Sequence, residues 1–327
     1  MTIFDRVYGS ISITEPVILE LINAPTLQRL KEIDQSGYKE PFFPGSAHSR
    51  FEHSVGVYWL LNRYGASLEE QIAGLLHDVS HSAFSHCVDY ALAEGSEGEQ
   101  SHQDNIHDAY VERSEIPGIL HKYGIDLAFI LDDSHFPLKE TTIPDLCADR
   151  IDYSLRGAIA YHLIDRDEAE GILAELAAED GVWVFTSQAS AKRFARLFLD
   201  LNDLYLADLH SAVMFRAVGD YLKRAISKRY ISVADLYTTD KAVLAKIAPH
   251  HEEDAELERY FERMNNRIPF KNDPTDYDAK VVCKSRFVDP LCLESGEIVR
   301  LSSVDLEWKK IMQGSVKTKE YFLKFEK

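Results

Sequence analysis

Two adjacent residues, His77 and Asp78, are the strongest candidates for chemistry in this sequence. A His-Asp pair occurs often by chance, but two further candidate metal ligands accompany it, His53 in the preceding predicted helix and Asp149 in a later one. Imidazole nitrogen and carboxylate oxygen together suit a divalent transition-metal ion such as manganese, iron, zinc or nickel. Four such ligands on three helices would hold the ion and leave positions open for water or phosphate.

Histidine is concentrated in one part of the chain, since nine of the 13 histidines lie between His48 and His135. Histidines used only as filler would be spread more evenly. Three of the nine, His107, His121 and His135, are alternative ligands for a second metal ion, but surface or helix-capping positions explain them better.

The helix that carries Asp149 has a distinctive polar face. Asp149, Asp152, Tyr153 and Arg156 are spaced i, i+3, i+4 and i+7, so they share one side of a helix. An acid, a phenol and a guanidinium are unfavourable in an apolar helix interface, but they suit the wall of a ligand pocket. Ion pairs on a solvated helix face explain the same spacing equally well. Asp152 is better placed to support a ligand by hydrogen bonding than to bind the ion itself.

These residues lie on separate elements that must pack together. Apolar periodicity predicts helices at residues 15–33, 49–64, 67–77, 144–163, 167–178 and 189–228, the last interrupted near His210. Strands are predicted at residues 182–185, 280–288 and 297–301. A Gly-, Ser- and Glu-rich stretch at residues 93–101 is expected to be a surface loop, with a lid over the site as the alternative.

Composition limits the possible classes of protein. A chain of 327 residues holds one large domain, or a main domain with a smaller appendage, and 45% hydrophobic residues exclude global disorder. Near residue 230 the pattern of apolar residues changes from helical periodicity to short strand-like segments. We therefore expect a mainly α-helical domain at residues 1–230 followed by a small α+β region at residues 231–327. The net charge of −18 argues against a nucleic-acid partner.

Cysteine usage and hydropathy bear on location. The four cysteines form no CxxC pair, which argues against a disulfide scaffold and a thiolate zinc site and favours a reducing compartment. No apolar run approaches the roughly 18 residues of a membrane helix, and the first residues do not read as a signal peptide. We therefore expect a cytoplasmic protein without a membrane partner.

Three motifs make the sequence recognisable. HSRFEHSVGV (residues 48–57), GLLHDVSHSAFSH (residues 74–86) and DRIDYSLRG (residues 149–157) resemble the signature blocks of the HD-domain phosphohydrolases, and most of all the deoxynucleoside triphosphate triphosphohydrolase branch. APTLQRLKEIDQSG (residues 24–37) also looks like the N-terminal part of that branch. The resemblance spans about residues 5–165 and implies a helical HD-domain bundle in the main domain.

The resemblance also implies roles for individual residues. The metal ligands would be His53, His77, Asp78 and Asp149. The phosphate pocket would be lined by His81, His86, Arg50 and Arg150, with lysine more usual than arginine at the last position. Asp89 and His102 match a carboxylate-histidine pair that protonates the leaving oxygen. Tyr153 matches a residue that packs against the substrate, and Gln35 falls where the family contacts the nucleoside.

Two positions depart from the family pattern. Gly157 stands where the triphosphohydrolases commonly carry an aspartate that reads the sugar hydroxyl, and Leu209 stands in place of a tyrosine that stacks on the sugar. These departures leave the metal chemistry intact. They bear on whether deoxyribose and triphosphate are the substrate features that the site recognises.

The sequence therefore predicts metal-dependent hydrolysis of a nucleotide, first of all a (deoxy)nucleoside triphosphate cleaved to nucleoside and triphosphate. The alternatives are a phosphatase of another nucleotide or small phosphoester, and a regulatory module that holds nucleotide without turnover. Asp89 and His102 together favour a hydrolase, because a binding module needs no proton donor. The expected cofactor is one divalent transition-metal ion, manganese among them, with Mg²⁺ on the substrate phosphates as a further possibility. The oligomeric state stays open, with a homo-oligomer among the alternatives.

Overall fold

Capping residues and prolines set the helix boundaries in the computed structural model, which describes residues 1–92, 102–283, 286–315 and 318–326. The Ser49 hydroxyl accepts a hydrogen bond from the Glu52 N–H, and the Glu52 carboxylate accepts one from the Ser49 N–H, which completes a capping box. Pro25 divides the first predicted helix in two, because proline suits a first turn but lacks the N–H needed inside a helix. The loop predicted at residues 93–101 lies outside the described residues.

The described α-helices are α1 (Pro16–Asn23), α2 (Pro25–Arg29), α3 (Arg50–Arg63), α4 (Leu68–Leu76), α5 (His102–Glu112), α6 (Ile116–Lys122), α7 (Leu127–Leu131), α8 (Ala148–Ala160), α9 (Arg166–Ala174), α10 (Gln188–Leu201), α11 (Leu209–Ser227), α12 (Asp240–Ile247), α13 (Ala255–Met264), α14 (Leu301–Val304) and α15 (Leu306–Ser315). Short 3-10 helices lie at Leu30–Glu32, Ser85–Tyr90, Asp133–His135, Val233–Tyr237 and Ala248–His250. The strands are β1 (Thr2–Asp5), β2 (Gly9–Ser12), β3 (Leu176–Glu179), β4 (Val182–Phe185), β5 (Phe270–Asn272), β6 (Ala279–Cys283), β7 (Leu291–Glu294), β8 (Glu297–Arg300) and β9 (Lys319–Phe325).

Helix α3 is the centre of the bundle, packed against α4 on one side and α8 on the other. Small residues allow both contacts to be close. A Cβ on Gly56 would lie 2.0 Å from Asp152 Oδ1 on α8, and a Cβ on Gly74 would lie 2.3 Å from the Leu61 side chain on α3. The three helices that carry candidate ligands therefore meet around α3.

Within the described residues, three small sheets accompany the helices. Strands β1 and β2 form an antiparallel hairpin, and β9 lies between β5 and β6. In the third sheet, β7 of the C-terminal region pairs in parallel with β4, joining Val184 to Leu291 in register. The mainly α fold with an α+β C-terminal region is confirmed, and the boundary near residue 230 stays a prediction.

Buried apolar side chains form two clusters. One fills the bundle of α1, α3, α4, α8 and α10, and it includes Trp183 and the C-terminal Trp308. The other surrounds α11 and joins it to α13, β6 and β9. Phe84 and Cys87 belong to this second cluster, so the segment that follows His77 and Asp78 is packed against the C-terminal half of the chain.

The long helix predicted at residues 189–228 is interrupted earlier than expected. A π-helical turn occupies Asn202–Leu206, and Asp208 then caps α11 by accepting hydrogen bonds from the N–H groups of His210 and Ser211. An aspartate cap begins a new helix because its carboxylate satisfies free N–H groups of the first turn. Among the described helices, none is long and apolar enough to cross a membrane.

Candidate metal centre

Three predicted ligands meet at the point where α3, the end of α4 and the first turn of α8 converge. His53 Nε2 lies 2.9 Å from Asp149 Oδ1 and 3.1 Å from His77 Nε2, and His77 Nε2 lies 3.5 Å from Asp149 Oδ1. One ligand atom from each of the three residues falls within 4.8 Å of the others. This spacing is compatible with a single ion bound at their centre.

Asp78 joins the same cluster. Its Oδ2 lies 3.6 Å from His53 Nε2, and its Oδ1 lies 3.5 Å from His77 Nε2 and 3.3 Å from His81 Nε2. The Asp78 carboxylate accepts a hydrogen bond from Arg50 NH1 at 2.5 Å. All four predicted ligands are thus brought together, and Arg50 fixes the orientation of one of them.

The two imidazole rings are oriented by their other nitrogens. His53 Nδ1 donates to Asp152 Oδ2 at 2.7 Å, and His77 Nδ1 donates to the Gly74 carbonyl at 2.7 Å, because neither partner oxygen carries a proton to give. In the neutral rings both Nε2 atoms therefore carry lone pairs, and these face each other at 3.1 Å. Lone pairs at this distance repel unless a cation lies between them, so the donor set fits a divalent metal ion.

A buried network extends from Asp152 to the N-terminal hairpin. Arg156 donates to both oxygens of Asp152 at 2.9 Å and to Asp5 Oδ2 at 2.9 Å, and the Tyr8 hydroxyl donates to Asp152 Oδ1 at 2.7 Å. Arg156 and Asp152 are both fully buried. The polar face predicted on this helix is therefore split: Asp149 and Tyr153 line a cleft, whereas Arg156 lies in the interior and supports the His53 ring through Asp152.

The electrostatics of the cluster favour positive charge. Burial would lower the pKa of His53, but hydrogen bonds to Asp149 and Asp152 outweigh burial and raise it to about 9. Burial likewise disfavours the charged form of Asp152, yet Arg156 and the hydrogen bond from His53 lower its pKa to about 2. The carboxylates that favour a proton on His53 would favour a metal cation at the same place.

A strained turn carries the next group of residues. Phe84 and Ser85 both have positive φ, 61° and 46°, which is uncommon outside glycine. The Phe84 N–H donates to Asp240 Oδ1 at 2.7 Å, and Ser85 Oγ accepts from Arg50 Nε at 2.7 Å. Hydrogen bonds to Asp240 in the C-terminal region and from Arg50 on α3 therefore fix the position of this turn.

A cleft opens over the metal cluster. The predicted site residues that line it are Gln35, Arg50, His77, Asp78, His81, His86, Asp149, Arg150 and Tyr153. Burial and the nearby Arg50 lower the pKa of His81 well below its usual value, so His81 is a neutral hydrogen-bonding group. Asp89 and His102 are not among the residues that line the cleft.

Asp89 and His102 make contact in a different way from the one expected. The Asp89 Oδ1 atom accepts from the backbone N–H of His102 at 3.3 Å, while the ring Nε2 of His102 faces the Tyr237 hydroxyl at 2.8 Å. The imidazole of His86 does face the Asp89 side chain, with its Nδ1 3.6 Å from Asp89 Oδ2. His102 is thus fixed by its backbone at the start of α5, and His86 is the histidine that faces both Asp89 and the cleft.

Arg150 is partly engaged within the protein. Its NH1 donates to the Asp145 carbonyl at 2.5 Å and its NH2 to the Thr141 carbonyl at 3.2 Å, with Glu140 Oε1 at 3.5 Å. The Arg150 Nε is buried and makes no hydrogen bond to a described residue. The guanidinium is therefore positioned at the cleft by backbone carbonyls.

A second, inner cavity adjoins the cleft. Aromatic and polar side chains line it, among them Lys39, His48, Tyr161, Asn202 and Phe215. Gly157 lines it too, where a Cβ would come within 3.2 Å of Leu201. The residues common to both cavities are Gln35, His86, Tyr153 and Arg286.

Sequence reasoning missed two cations of this region. Lys39 is buried and donates to the Tyr205 carbonyl at 3.0 Å and to Ser211 Oγ at 2.7 Å, and burial lowers its pKa to about 8. The aromatic neighbours of Lys39 in the sequence, Tyr38 and the pair Phe42 and Phe43, could have indicated a buried lysine. Arg286 lies far along the chain in a segment without a motif, so no comparable signal existed.

Comparison with known proteins places the chain in a family. Residues 50–157 match the model of the HD domain. The uncharacterized protein YdhJ of Bacillus subtilis is 34% identical over 95% of this chain and 94% of its own length. A crystal structure of a phosphohydrolase from Bacteroides thetaiotaomicron has the same fold, with a TM-score of 0.77 and 18% identity over the whole of both chains.

Two relatives with assigned functions match shorter segments. The metal-dependent phosphohydrolase cns2 of Cordyceps militaris is 38% identical over 58% of this chain, which spans about half of cns2 (52%). The deoxynucleoside triphosphate triphosphohydrolase SAMHD1 of Gallus gallus is 32% identical over 42% of this chain and 26% of its own length. Taken with the clustered His53, His77, Asp78 and Asp149, these similarities mean that the chain belongs to the HD-domain metal-dependent phosphohydrolases.

Proposed function

We propose that this phosphohydrolase acts on nucleotides, and that its first-choice substrate is a (deoxy)nucleoside triphosphate cleaved to nucleoside and triphosphate. The observation that carries the proposal is the pair of connected cavities. The cleft over the metal cluster suits a chain of phosphates, and the adjoining aromatic cavity suits a nucleoside. The likeness to SAMHD1 supports the same assignment.

In this proposal His53, His77, Asp78 and Asp149 hold one divalent transition-metal ion, with manganese, iron, zinc and nickel as the alternatives. When bound, such an ion lowers the pKa of a coordinated water and offsets negative charge on phosphate. Asp152 orients His53, and Arg50 orients Asp78. Mg²⁺ accompanying the substrate phosphates is part of the proposal.

The phosphates are bound by the polar groups of the cleft. His81 and His86 offer imidazole donors, and Arg150 offers the N–H groups that the carbonyls of Asp145 and Thr141 leave unused. Arg50 lines the cleft as well, although three of its nitrogens already donate within the protein. Gln35 and Tyr153, at the junction of the two cavities, contact the nucleoside.

The proton for the leaving oxygen comes from a histidine backed by Asp89. The sequence pointed to His102, and the geometry supports His86 more strongly, because the His86 ring lies at the cleft and faces Asp89. His102 keeps its contact with Asp89 through the backbone and so supports the position of that carboxylate. In either case an imidazole backed by a carboxylate is available for proton transfer.

A phosphatase acting on another nucleotide is the second candidate. Gly157 favours it, because no carboxylate stands at that point of the inner cavity to read a sugar hydroxyl. A regulatory module without turnover is disfavoured by His86, because an imidazole that lines the cleft and faces Asp89 can act as a proton donor. The proposed partner is a small-molecule nucleotide, with neither nucleic acid nor membrane, and the oligomeric state is left open. Cytoplasmic residence is also part of the proposal and is supported by four free, buried cysteines.

Two measurements test the assignment. Protein loaded with Mn²⁺ is screened against dNTPs, NTPs, nucleoside mono- and diphosphates and cyclic nucleotides, with products identified by mass. We expect nucleoside and triphosphate from dNTPs, and release of inorganic phosphate alone would favour the second candidate.

His77→Ala and Asp78→Ala should each lose bound metal and activity. A full equivalent of metal with wild-type activity in both variants would mean that the metal lies elsewhere.

A further inference from the structure

The junction between the cleft and the inner cavity holds polar groups that lack partners. Gln35 Oε1, Tyr153 Oη and His86 Nδ1 are buried and make no hydrogen bond within the part of the chain that the structure describes. Buried polar atoms are normally satisfied, and an unsatisfied one costs about 1–3 kcal/mol. His86 Nδ1 faces Asp89 Oδ2, so Gln35 Oε1 and Tyr153 Oη are the two atoms whose hydrogen bonding a polar ligand at the mouth between the cavities would complete.

The fourth residue at this junction is Arg286, which comes from the C-terminal region between β6 and β7. Its guanidinium lines both cavities, and no ion pair or hydrogen bond to a described residue holds it. Only its backbone is fastened, with the N–H donating to Asn202 Oδ1 at 3.3 Å. Arg50, in the same cleft, already donates to Asp78, Ser85 and the Gln35 carbonyl, whereas the Arg286 guanidinium is left for a ligand at the junction of the two cavities.

The charge of the surroundings shows what Arg286 would bind. The chain carries a net charge of −18, yet the described residues that line the inner cavity include no aspartate or glutamate and do include Lys39 and Arg286. The positive charge of Arg286 acts on the Tyr153 hydroxyl, opposing the burial that raises the pKa of this group to about 12. An anionic group accepts hydrogen bonds from a free guanidinium and a phenol together, whereas Gln35 Oε1 is an acceptor and needs a donor, such as a hydroxyl of the nucleoside.

We infer that Arg286 is a substrate-binding residue that holds the phosphate joining the two halves of the nucleotide, the one attached to the nucleoside. The inference rests on the proposed function, because it requires phosphates in the cleft and a nucleoside in the inner cavity. It assigns to the C-terminal region a direct part in substrate recognition. The other proposed phosphate ligands of the cleft lie within residues 50–157, which match the HD domain. Arg286 would be a phosphate ligand from outside that match.

The test compares Arg286→Ala and Arg286→Lys with the wild type, all loaded with Mn²⁺. A charge-assisted hydrogen bond to phosphate lost from Arg286→Ala should raise KM for the best dNTP about ten-fold or more, with kcat within about three-fold. Arg286→Lys should recover part of the loss because it keeps the charge. Inhibition by inorganic triphosphate should weaken to a similar extent, whereas inhibition by the free deoxynucleoside should not.

Lys280→Ala is the matched control, because it also removes one positive charge from the C-terminal region. Lys280 lies on β6, pairs with Glu320 at 2.8 Å and lines neither cavity, so its loss should leave KM unchanged. If Arg286→Ala has a KM within two-fold of the wild type for every dNTP, Arg286 is not a substrate ligand, although the proposed function stands. If the wild type itself hydrolyses no dNTP, the proposed substrate is wrong and this inference is lost with it.

Discussion

Individual side chains in the metal cluster are fixed by contacts on the side away from the cleft. His53 is held by Asp152, and His77 is held by the Gly74 carbonyl. Each contact leaves the Nε2 lone pair pointing at the common centre. Supporting contacts of this kind typically change metal affinity by 10- to 100-fold when they are removed.

His86 and His102 differ in where their rings lie, so their variants should differ in rate. His86→Ala should keep its metal and lose roughly 10²–10⁴ in kcat, the usual contribution of a proton donor. His102→Ala should lose much less, because its ring faces Tyr237 instead of the cleft. The measurement is kcat for the best nucleotide beside kcat for a nitrophenyl phosphate, whose leaving group departs without a proton.

The nitrophenyl substrate is the control for this assignment. A loss caused by a missing proton donor shrinks with an acidic leaving group, whereas a loss caused by general damage to the site does not. Should His102→Ala show the large, leaving-group-dependent loss while His86→Ala turns over normally, the proton donor is His102, as the sequence indicated.

Asp34 should give the protein a pH-dependent stability. Its Oδ1 accepts from the Ser36 N–H at 2.9 Å, and burial raises its pKa to about 6. Because the folded pKa lies above the unfolded value, the folded state binds more protons between about pH 4 and 6. The free energy of unfolding should therefore fall as pH rises through this window, by at most about 3 kcal/mol from this group.

Asp34→Asn keeps an acceptor for Ser36 and removes the ionisation. Urea denaturation at pH 4.5 and pH 7 in the presence of EDTA, which excludes metal binding, measures the difference. The variant should gain stability relative to the wild type at pH 7 and little at pH 4.5. An identical pH dependence in the two proteins would show that Asp34 ionises normally.

At the level of whole elements, the approach of α3 to α8 determines whether His53 reaches Asp152. Gly56→Ala would put a methyl group 2.0 Å from Asp152 Oδ1 and 2.4 Å from Arg156 NH2. Either the helices separate or the buried ion pair breaks, so we expect a loss of about 3 kcal/mol or more in unfolding free energy. Metal affinity should fall as well, because the support of His53 is displaced.

Gly118→Ala on α6 is the corresponding control. A Cβ at Gly118 meets nothing within 4 Å, so alanine should stabilise the protein by about 0.5–1 kcal/mol through its higher helix propensity. Thermal melts and metal titrations of both variants check the comparison. Equal stabilities of Gly56→Ala and the wild type would mean that the two helices are not held at this distance.

The helices that carry the candidate ligands could be predicted because local signals define them. A capping box of Ser49 and Glu52 starts α3 within one residue of the predicted start, and β4 begins and ends at the predicted residues. The parallel pairing of β7 with β4 depends on residues more than 100 positions apart, and no local pattern reports it. The sequence spacing placed Arg156 on the face of Asp149 and Tyr153, but Arg156 lies in the interior, because it pairs with Asp5, a residue about 150 positions earlier in the chain.

On the scale of the whole molecule, the two cavities draw residues from distant parts of the chain. Gln35 precedes α3, Tyr153 lies on α8, and Arg286 comes from the C-terminal region. Asp240, at the start of α12, accepts hydrogen bonds from the N–H groups of both Asp34 and Phe84. The C-terminal region therefore contributes to the walls of the site and to the turns that support them.

The buried network that runs from His53 through Asp152 and Arg156 to Asp5 has a consequence for dynamics far from the cleft. Asp5 Oδ1 accepts hydrogen bonds from the backbone N–H groups of Val7 and Tyr8, at 2.8 and 3.1 Å. A metal ion that immobilises His53 should therefore slow amide hydrogen exchange at Val7 and Tyr8, because these amides exchange only when the network opens.

Exchange measured by mass spectrometry with and without Mn²⁺ gives the readout, and amides of β6, on another sheet, serve as the internal reference. Protection should appear in the peptide that contains Val7 and Tyr8, and it should disappear in His53→Ala. Unchanged exchange there on metal binding would mean that the hairpin is rigid whether or not the metal is bound. With the expected outcome, the N-terminal hairpin reports occupancy of a site that it does not touch.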